Sequence, residues 1–381
     1  MTRVSPGVEQ FLLHGRDVST GRVALAGHGA SILPDGTRTL DALLAAGVEV
    51  SAVLGPEHGF TSRAPEGAAE ASRADPATGV PILDCYLATP PEIAEHLASY
   101  AIERVVVDFQ DGGARFYTYQ STLGDLLGAA SLAAIPITVL DRPNPCGGEQ
   151  AGGPVLRSEH RSFIGRLPLP LRHGLTIGEI ARLAVEEDRL DCELEVITMA
   201  GWSRRLIYTD TGLPWVPPSP NLPSPTSALC YPGTGLVEGT NLSEGRGTQN
   251  PFEIVAAPFG DHRWADELRA VRLPGVAVRE VHVTPSSGKG AGRSLTGVGL
   301  CVADGHLFDP LRAGLEILSS ASRLWPEDVT FSPTRFDLLA GTSELRRALQ
   351  ARESPAGILA SFAGEVASFA ERVEHLLLYS T

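Results

Sequence analysis

Along the first half of the chain, short runs of aliphatic and β-branched residues alternate with stretches that are apolar every three to four positions. Arg22-Val23-Ala24-Leu25-Ala26 predicts a strand closed by the turn Gly27-His28-Gly29, and Thr39 to Ala46 a short amphipathic helix. Val48 to Leu54 predicts a second strand, which ends in Gly55-Pro56-Glu57-His58-Gly59-Phe60. A helix over Pro91–Tyr100 starts at a proline pair, where the missing N–H costs little. Val105-Val106-Val107 reads as a strand buried on both faces, and it stops abruptly at the polar and aromatic run from Asp108 to Tyr119. Leu123–Ala134 follows as a helix, then Ile135–Leu140 as a strand running into Asp141-Arg142-Pro143-Asn144-Pro145. This alternation predicts an α/β fold, a Rossmann-like doubly wound and mainly parallel sheet. Such sheets bind ligands beyond the carboxyl ends of their strands. The loops at Glu57-His58, Asp108 to Tyr119 and Asp141 to Asn144 are therefore expected to converge on one edge.

The second half has a different texture. Thr176 with Glu179 forms a capping box that starts a helix to Glu187, and the Pro- and Ser-rich stretch Trp215–Pro232 reads as extended loop. Beyond residue 260, helical patterns at His262–Val271, Leu307–Ser322, Thr342–Arg352 and Ala356–Leu377 alternate with short strands at Val276–Val283 and Gly297–Val302. We expect a catalytic domain over 1–258 and a smaller α+β domain over 259–381.

Composition narrows the function. The net charge of −14 argues against nucleic-acid or anionic-membrane partners, both of which need a basic face. No apolar run reaches the ~18 residues of a membrane span, and Met1–Thr20 lacks a signal-type apolar core, so a cytoplasmic location is expected. Apolar helices near the C-terminus make a homodimer a further expectation. The five cysteines are scattered, without a C-x-x-C pair, so neither a disulfide framework nor a zinc site is expected. Cys146 has no adjacent base to make it a nucleophile. Gly27-x-Gly29 lacks the third glycine of a dinucleotide fingerprint, no phosphate-binding P-loop occurs, and no cofactor is expected. His58, Asp108, Asp111, Asp141 and His173 lack metal-ligand spacing. No G-x-S-x-G is present to suggest a serine hydrolase.

The chemistry that remains suits glycoside hydrolysis, which needs an acid for the leaving oxygen and a second group at the anomeric centre. Glu57, on a rigid Gly-Pro turn beside Phe60, is the best single acid. Asp108, Asp111, Glu238 and Glu244 are candidate partners; Asp111 or Glu244 is favoured and Asp108 is read as orienting. Arg115, Arg142 and Arg246 lie in Gly/Pro-rich loops beside carboxylates, as an anion clamp or as loop braces. Tyr117 and Tyr119 alternate on what reads as an extended segment, so both would face a sugar ring or the core. His58, Asp141, Asn144, His173, Asn221 and Asn241 complete the candidate sugar-binding set.

Taken in order, the motifs resemble a known family. They are Gly55-Pro-Glu57-His58-Gly59-Phe60, Asp108-Phe-Gln110-Asp111-x-Gly113-Ala-Arg115-Phe-Tyr117-Thr-Tyr119 and Leu140-Asp141-Arg142-Pro143-Asn144-Pro145-x-Gly147-Gly148. Next come Arg172-His173-Gly174-Leu-Thr176-x-Gly178-Glu179, Pro218-Ser219-Pro220-Asn221-Leu-Pro223 and the run from Tyr231 to Thr248. Together they are similar to the exo-β-N-acetylmuramidases of the NamZ/YbbC type, also described as DUF1343. The resemblance implies a Rossmann-like catalytic domain with a smaller C-terminal domain, and no redox cofactor. It implies release of N-acetylmuramic acid from the non-reducing end of peptidoglycan fragments, with Glu57 as the catalytic residue. The lactyl carboxylate of that sugar gives the arginines a purpose. The chain departs from the family pattern at Gly27-His28-Gly29-Ala30, at Thr61-Ser62-Arg63, at Gly112, and at Leu295-Thr296-Gly297-Val298. A non-catalytic sugar-binding protein and a metal-dependent hydrolase of a related glycoside are the alternatives.

Overall fold

The computed structural model describes residues 3–14, 21–65, 67–68 and 73–380. Its first part runs α1 (Gly7–Leu13), β1 (Val23–Gly27), α2 (Thr39–Ala45), β2 (Val50–Gly55), β3 (Arg73–Ala74), β4 (Pro81–Asp84), α3 (Pro90–Ser99) and β5 (Arg104–Asp108). It continues with α4 (Tyr119–Ala133), β6 (Ile137–Leu140), the hairpin β7 (Gly152–Val155) and β8 (Pro170–Arg172), α5 (Ile177–Glu187) and β9 (Leu194–Ile197). Seven of these strands form one sheet in the order β3-β4-β2-β1-β5-β6-β9. Every pairing in it is parallel except that of the short edge strand β3.

Alternate strand residues explain why both faces are covered. Val105 and Val107 of β5 join the core built with Ile93 and Leu97 of α3 and Leu123 and Leu127 of α4. Val106, pointing the other way, packs with Val8 of α1 and Leu40 and Leu43 of α2. The chain reverses its direction of travel across the sheet between β1 and β5, which is the crevice where such sheets bind ligands. The loops after β2, β5 and β6 leave from the same edge of the sheet, because these strands run parallel.

The second part holds α6 (Pro225–Thr234), β10 (Ile254–Ala257), α7 (His262–Val271), β11 (Val276–Val283), β12 (Leu295–Val302) and α8 (Pro310–Leu324). It ends in α9 (Pro333–Ala340), α10 (Glu344–Gln350), α11 (Pro355–Ser361) and α12 (Ala363–Val373). The order β10-β12-β11 makes an antiparallel sheet. β10 lies before residue 258 yet pairs with β12, so the second sheet begins upstream of the sequence boundary.

The stretch read as extended loop contains most of α6. Ser224 caps it by accepting the Ser227 N–H, and Pro225 takes the first turn. A Cβ at Gly233 would sit 1.8 Å from the Pro310 carbonyl oxygen, so α6 and α8 approach closely there. The apolar stripe from 356 onward is broken at Phe362 into α11 and α12, and α9 was missed altogether. Tyr119 opens α4 rather than extending a strand, so Tyr117 and Tyr119 do not share the face of an extended segment.

Candidate active site

The turn after β2 carries Glu57. A Cβ on Gly55 would meet the Phe60 nitrogen at 2.7 Å, His58 has φ 70° and Gly59 φ 76°, so the turn is tight and partly left-handed. A left-handed histidine costs about 1 kcal/mol and persists only where its surroundings hold it. Here Nδ1 of His58 meets the Ala64 carbonyl at 2.9 Å, and its N–H donates to Ala68 O. The Glu57 carboxylate accepts from Thr118 Oγ1 at 2.6 Å and from the Gly67 N–H at 2.8 Å. Thr118 comes from the loop after β5, so two strand ends aim this carboxylate. It faces a cavity of 140 Å³.

Of the predicted site residues, Glu57, His58, Tyr117, Asn221 and Arg246 line this cavity. They are joined by Glu238, which the sequence reading ranked behind Asp111 and Glu244, and by Arg335 of α9, which it missed. Glu238 binds Arg246 Nη2 through Oε1 at 3.0 Å and Arg335 Nη2 through Oε2 at 2.6 Å. Arg335 reaches the site because α9 lies on the 235–239 turn: a Cβ at Gly239 would be 2.5 Å from the Phe336 Cα. No periodicity announces such a residue.

The chain is matched by two family models, described as the N-terminal and C-terminal parts of the exo-β-N-acetylmuramidase NamZ, over residues 23–226 and 229–379. The chain belongs to this family. It is a family of glycoside hydrolases, and a member, the peptidoglycan β-N-acetylmuramidase NamZ of Bacillus subtilis (strain 168), is 40% identical over 87% of this chain and 80% of its own length. A crystal structure of a DUF1343 family protein from Bacteroides fragilis NCTC 9343 superposes with a TM-score of 0.89 at 30% identity, covering 100% of both chains. A second from the same organism gives 0.78 at 29%, covering 100% of this chain and 99% of its own.

Two departures from the family pattern meet in space. The Gly29 N–H donates to Ser62 Oγ at 2.8 Å, so the altered turn after β1 is tied to the altered loop after Phe60. His28 is buried and takes the Gln110 N–H on Nε2 at 3.0 Å. Burial and the nearby Arg142 charge hold its pKa well below the usual histidine range, which suits that acceptor role. The third departure, Gly112, leaves room for a ring: a Cβ there would be 2.8 Å from Tyr117 Cγ. Tyr117 packs against Tyr119 at 4.7 Å and against Tyr231, another cavity residue, at 6.3 Å. The Tyr117 hydroxyl is buried beside the Tyr119 ring.

The remaining candidates other than Asn241 are committed to the interior. Asp108 is fully buried and bound by Arg142 at 2.5 and 2.8 Å and by Thr39 Oγ1 at 2.5 Å. Asp111 accepts from the Gly113 N–H at 2.6 Å and from Gln120 at 3.1 Å. His173 takes the Leu175 N–H on Nδ1, which leaves Nε2 to donate to Asp111 at 3.2 Å. Arg115 donates to the carbonyls of Pro154, Leu169 and Leu339, and so caps the end of α9. Burial pulls its pKa down to about 9. Asp141 collects Thr176 Oγ1, the Gly178 N–H and Tyr379 Oη near the start of α5. Asn144 braces its own turn through Leu175 O and the Cys146 N–H, and Tyr119 Oη donates to Pro218 O. Asn241 is exposed and bonds Asp328 O and the Thr330 N–H, and Glu244 is buried against Arg246 and Lys289.

Among the described residues no three His, Cys, Asp or Glu side chains gather as metal ligands, and no helix is long and apolar enough to cross a membrane. A larger hollow of 680 Å³, walled by Leu311, Phe369 and Val373, does not include Glu57. Glu57 and Glu238 line the smaller cavity instead, with the motif residues His58, Asn221 and Arg246.

Proposed function

We propose that this protein releases N-acetylmuramic acid from the non-reducing end of peptidoglycan fragments, with Glu57 as general acid. The observation that carries the reading is the Glu57 carboxylate, held from two loops and facing Glu238 across one pocket in a chain of this family. Glu238 is the second carboxylate, acting at the anomeric side. Tyr117 and Tyr231 offer ring faces to the sugar. Asp111, Glu244, Asp108 and Arg142 act behind the site, as its frame. We assign the reaction to the cytoplasm, on imported wall fragments, which cell fractionation would test.

Arg246 and Arg335 are the cations placed to read the lactyl carboxylate. Arg335→Met is expected to raise KM for a β-N-acetylmuramide about 10- to 100-fold, the range of a lost charge-assisted hydrogen bond, with kcat little changed. An unchanged KM would remove Arg335 from substrate recognition.

The direct experiment offers the purified protein a chromogenic β-N-acetylmuramide and the matching N-acetylglucosaminide, with and without EDTA. We expect cleavage of the muramide alone, at the same rate in EDTA. Cleavage of neither, with muramide binding retained, would favour a sugar-binding protein. Loss of cleavage in EDTA would favour metal-assisted hydrolysis.

A further inference from the structure

The chain carries 31 basic Lys and Arg residues, and Lys289 is its one lysine. A chain that meets every other need for a cation with arginine keeps an ammonium at this position. Lys289 lies in the turn between β11 and β12, which is zipped to the turn that carries Arg246. Ser286 donates to Gly247 O from its N–H at 2.9 Å and from its hydroxyl at 3.0 Å. Gly247 has φ 78°, and a Cβ on it would sit 2.4 Å from the Ser287 nitrogen, so the two turns touch backbone to backbone.

From there Lys289 Nζ reaches the carbonyl oxygens of Val237 and Glu238, at 3.0 Å each, and pairs with Glu244 Oε2 at 3.3 Å. The two carbonyls accept hydrogen bonds from the ammonium, and the Glu244 carboxylate lies beside it as an ion pair. A guanidinium presents a flat fork on a longer reach and cannot bring one nitrogen to both carbonyls while it pairs with the carboxylate. The two carbonyls belong to the short 3-10 helix Gly235–Gly239, whose side chain Glu238 faces the cavity.

The electrostatics interlock in the same place. Arg246 is shared between Glu238, at the cavity, and Glu244, behind it. Burial pushes the Glu244 carboxyl up, and the Lys289 ammonium and Arg246 guanidinium outweigh it and hold it below the ordinary glutamate range. Lys289 thus takes part of the Glu244 charge and leaves Arg246 bridging to Glu238.

We propose that Lys289 is a positioning residue of the active site, fixing Glu238 through its backbone and Arg246 through Glu244, and that arginine cannot replace it. The proposal rests on the muramidase reading for its kinetic readout and for the choice of N-acetylmuramic acid as the probe. Lys289→Arg and Lys289→Met are both expected to lose about 10- to 100-fold in kcat/KM on the muramide, the range of a lost charged hydrogen bond, while their unfolding transitions stay with the wild type. Lys289→Arg keeps the charge, so a loss equal to that of Lys289→Met isolates geometry.

A second measurement needs no activity. Protein labelled with 15N at lysine Nζ carries one such signal. We expect it to exchange slowly with water in the free protein and to shift when N-acetylmuramic acid is added. Wild-type kcat/KM in Lys289→Arg would overturn the proposal. A signal that exchanges as fast as free lysine, and that the sugar leaves unmoved, would also overturn it. A wild type that cleaves no muramide would sink the functional reading, and the exchange rate would then still decide whether this lysine is locked.

Discussion

Glu57→Gln is expected to reduce turnover of a MurNAc-terminated disaccharide by about a thousand-fold, the middle of the range for a positioned general acid. The substitution is nearly isosteric, and its amide oxygen can still accept the Gly67 N–H that the carboxylate accepts at 2.8 Å. The cavity and the fold should therefore survive, which unchanged circular dichroism and an unchanged unfolding transition would verify. What is lost is the proton for the departing oxygen. A sugar alkoxide needs that proton and a nitrophenolate hardly does, so the loss should be much smaller on the nitrophenyl muramide. A structural defect would depress both substrates equally. Turnover of the disaccharide within ten-fold of the wild type would remove Glu57 from the role of acid.

Arg142→Met is expected to act on stability. Read from its neighbours in sequence, Arg142 could clamp an anionic substrate; in the fold its guanidinium binds buried Asp108 through both carboxylate oxygens and also donates to Ile32 O. Methionine would leave Asp108 with only Thr39 as a side-chain partner, at a site 0% exposed. Breaking a buried pair from one side costs about 3–5 kcal/mol, because the remaining charge has lost its compensation. Equilibrium urea denaturation should show the first transition shifted to lower denaturant by that amount. Replacing both partners with apolar residues should recover part of the loss, since no unpaired charge then remains. A variant with the wild-type transition and a raised KM would instead return Arg142 to the substrate.

These two predictions separate what local sequence reveals from what it conceals. Glu57 is legible because the features that mark it are local. A strand buried along nearly its whole length ends, a Gly-Pro turn follows, and a carboxylate stands at the strand's carboxyl edge. The same kind of reasoning finds the parallel sheet, since Val105-Val106-Val107 needs apolar cover on both faces. Arg142, Asp111 and Arg115 look no less functional, yet they are bound by Asp108, by Gln120 and the Gly113 N–H, and by three carbonyls respectively. A polar loop after a strand holds reacting groups and bracing groups side by side. Only the partner across the turn distinguishes them.

The short strand β4 and the helix α9 were hidden for another reason. In β4 only Ile82 and Leu83 are aliphatic, too little pattern for a strand to stand out, and the eight residues of α9 are held by Arg115 at one end and by Gly239 underneath, both distant in sequence. By itself, then, the sequence determined the parallel sheet, the edge where its charged loops collect, the carboxylate that stands at that edge and, through ordered motifs, the family. Tertiary structure alone decided which second carboxylate lines the cavity with Glu57, that Arg335 pairs with that carboxylate while Lys289 bonds its backbone, and which arginines are tied to buried partners. Strand periodicity and turn chemistry are short-range and are written into neighbouring residues. The pairing of a buried charge is set by whatever the fold brings within about 3 Å of it, however far away along the chain that partner lies.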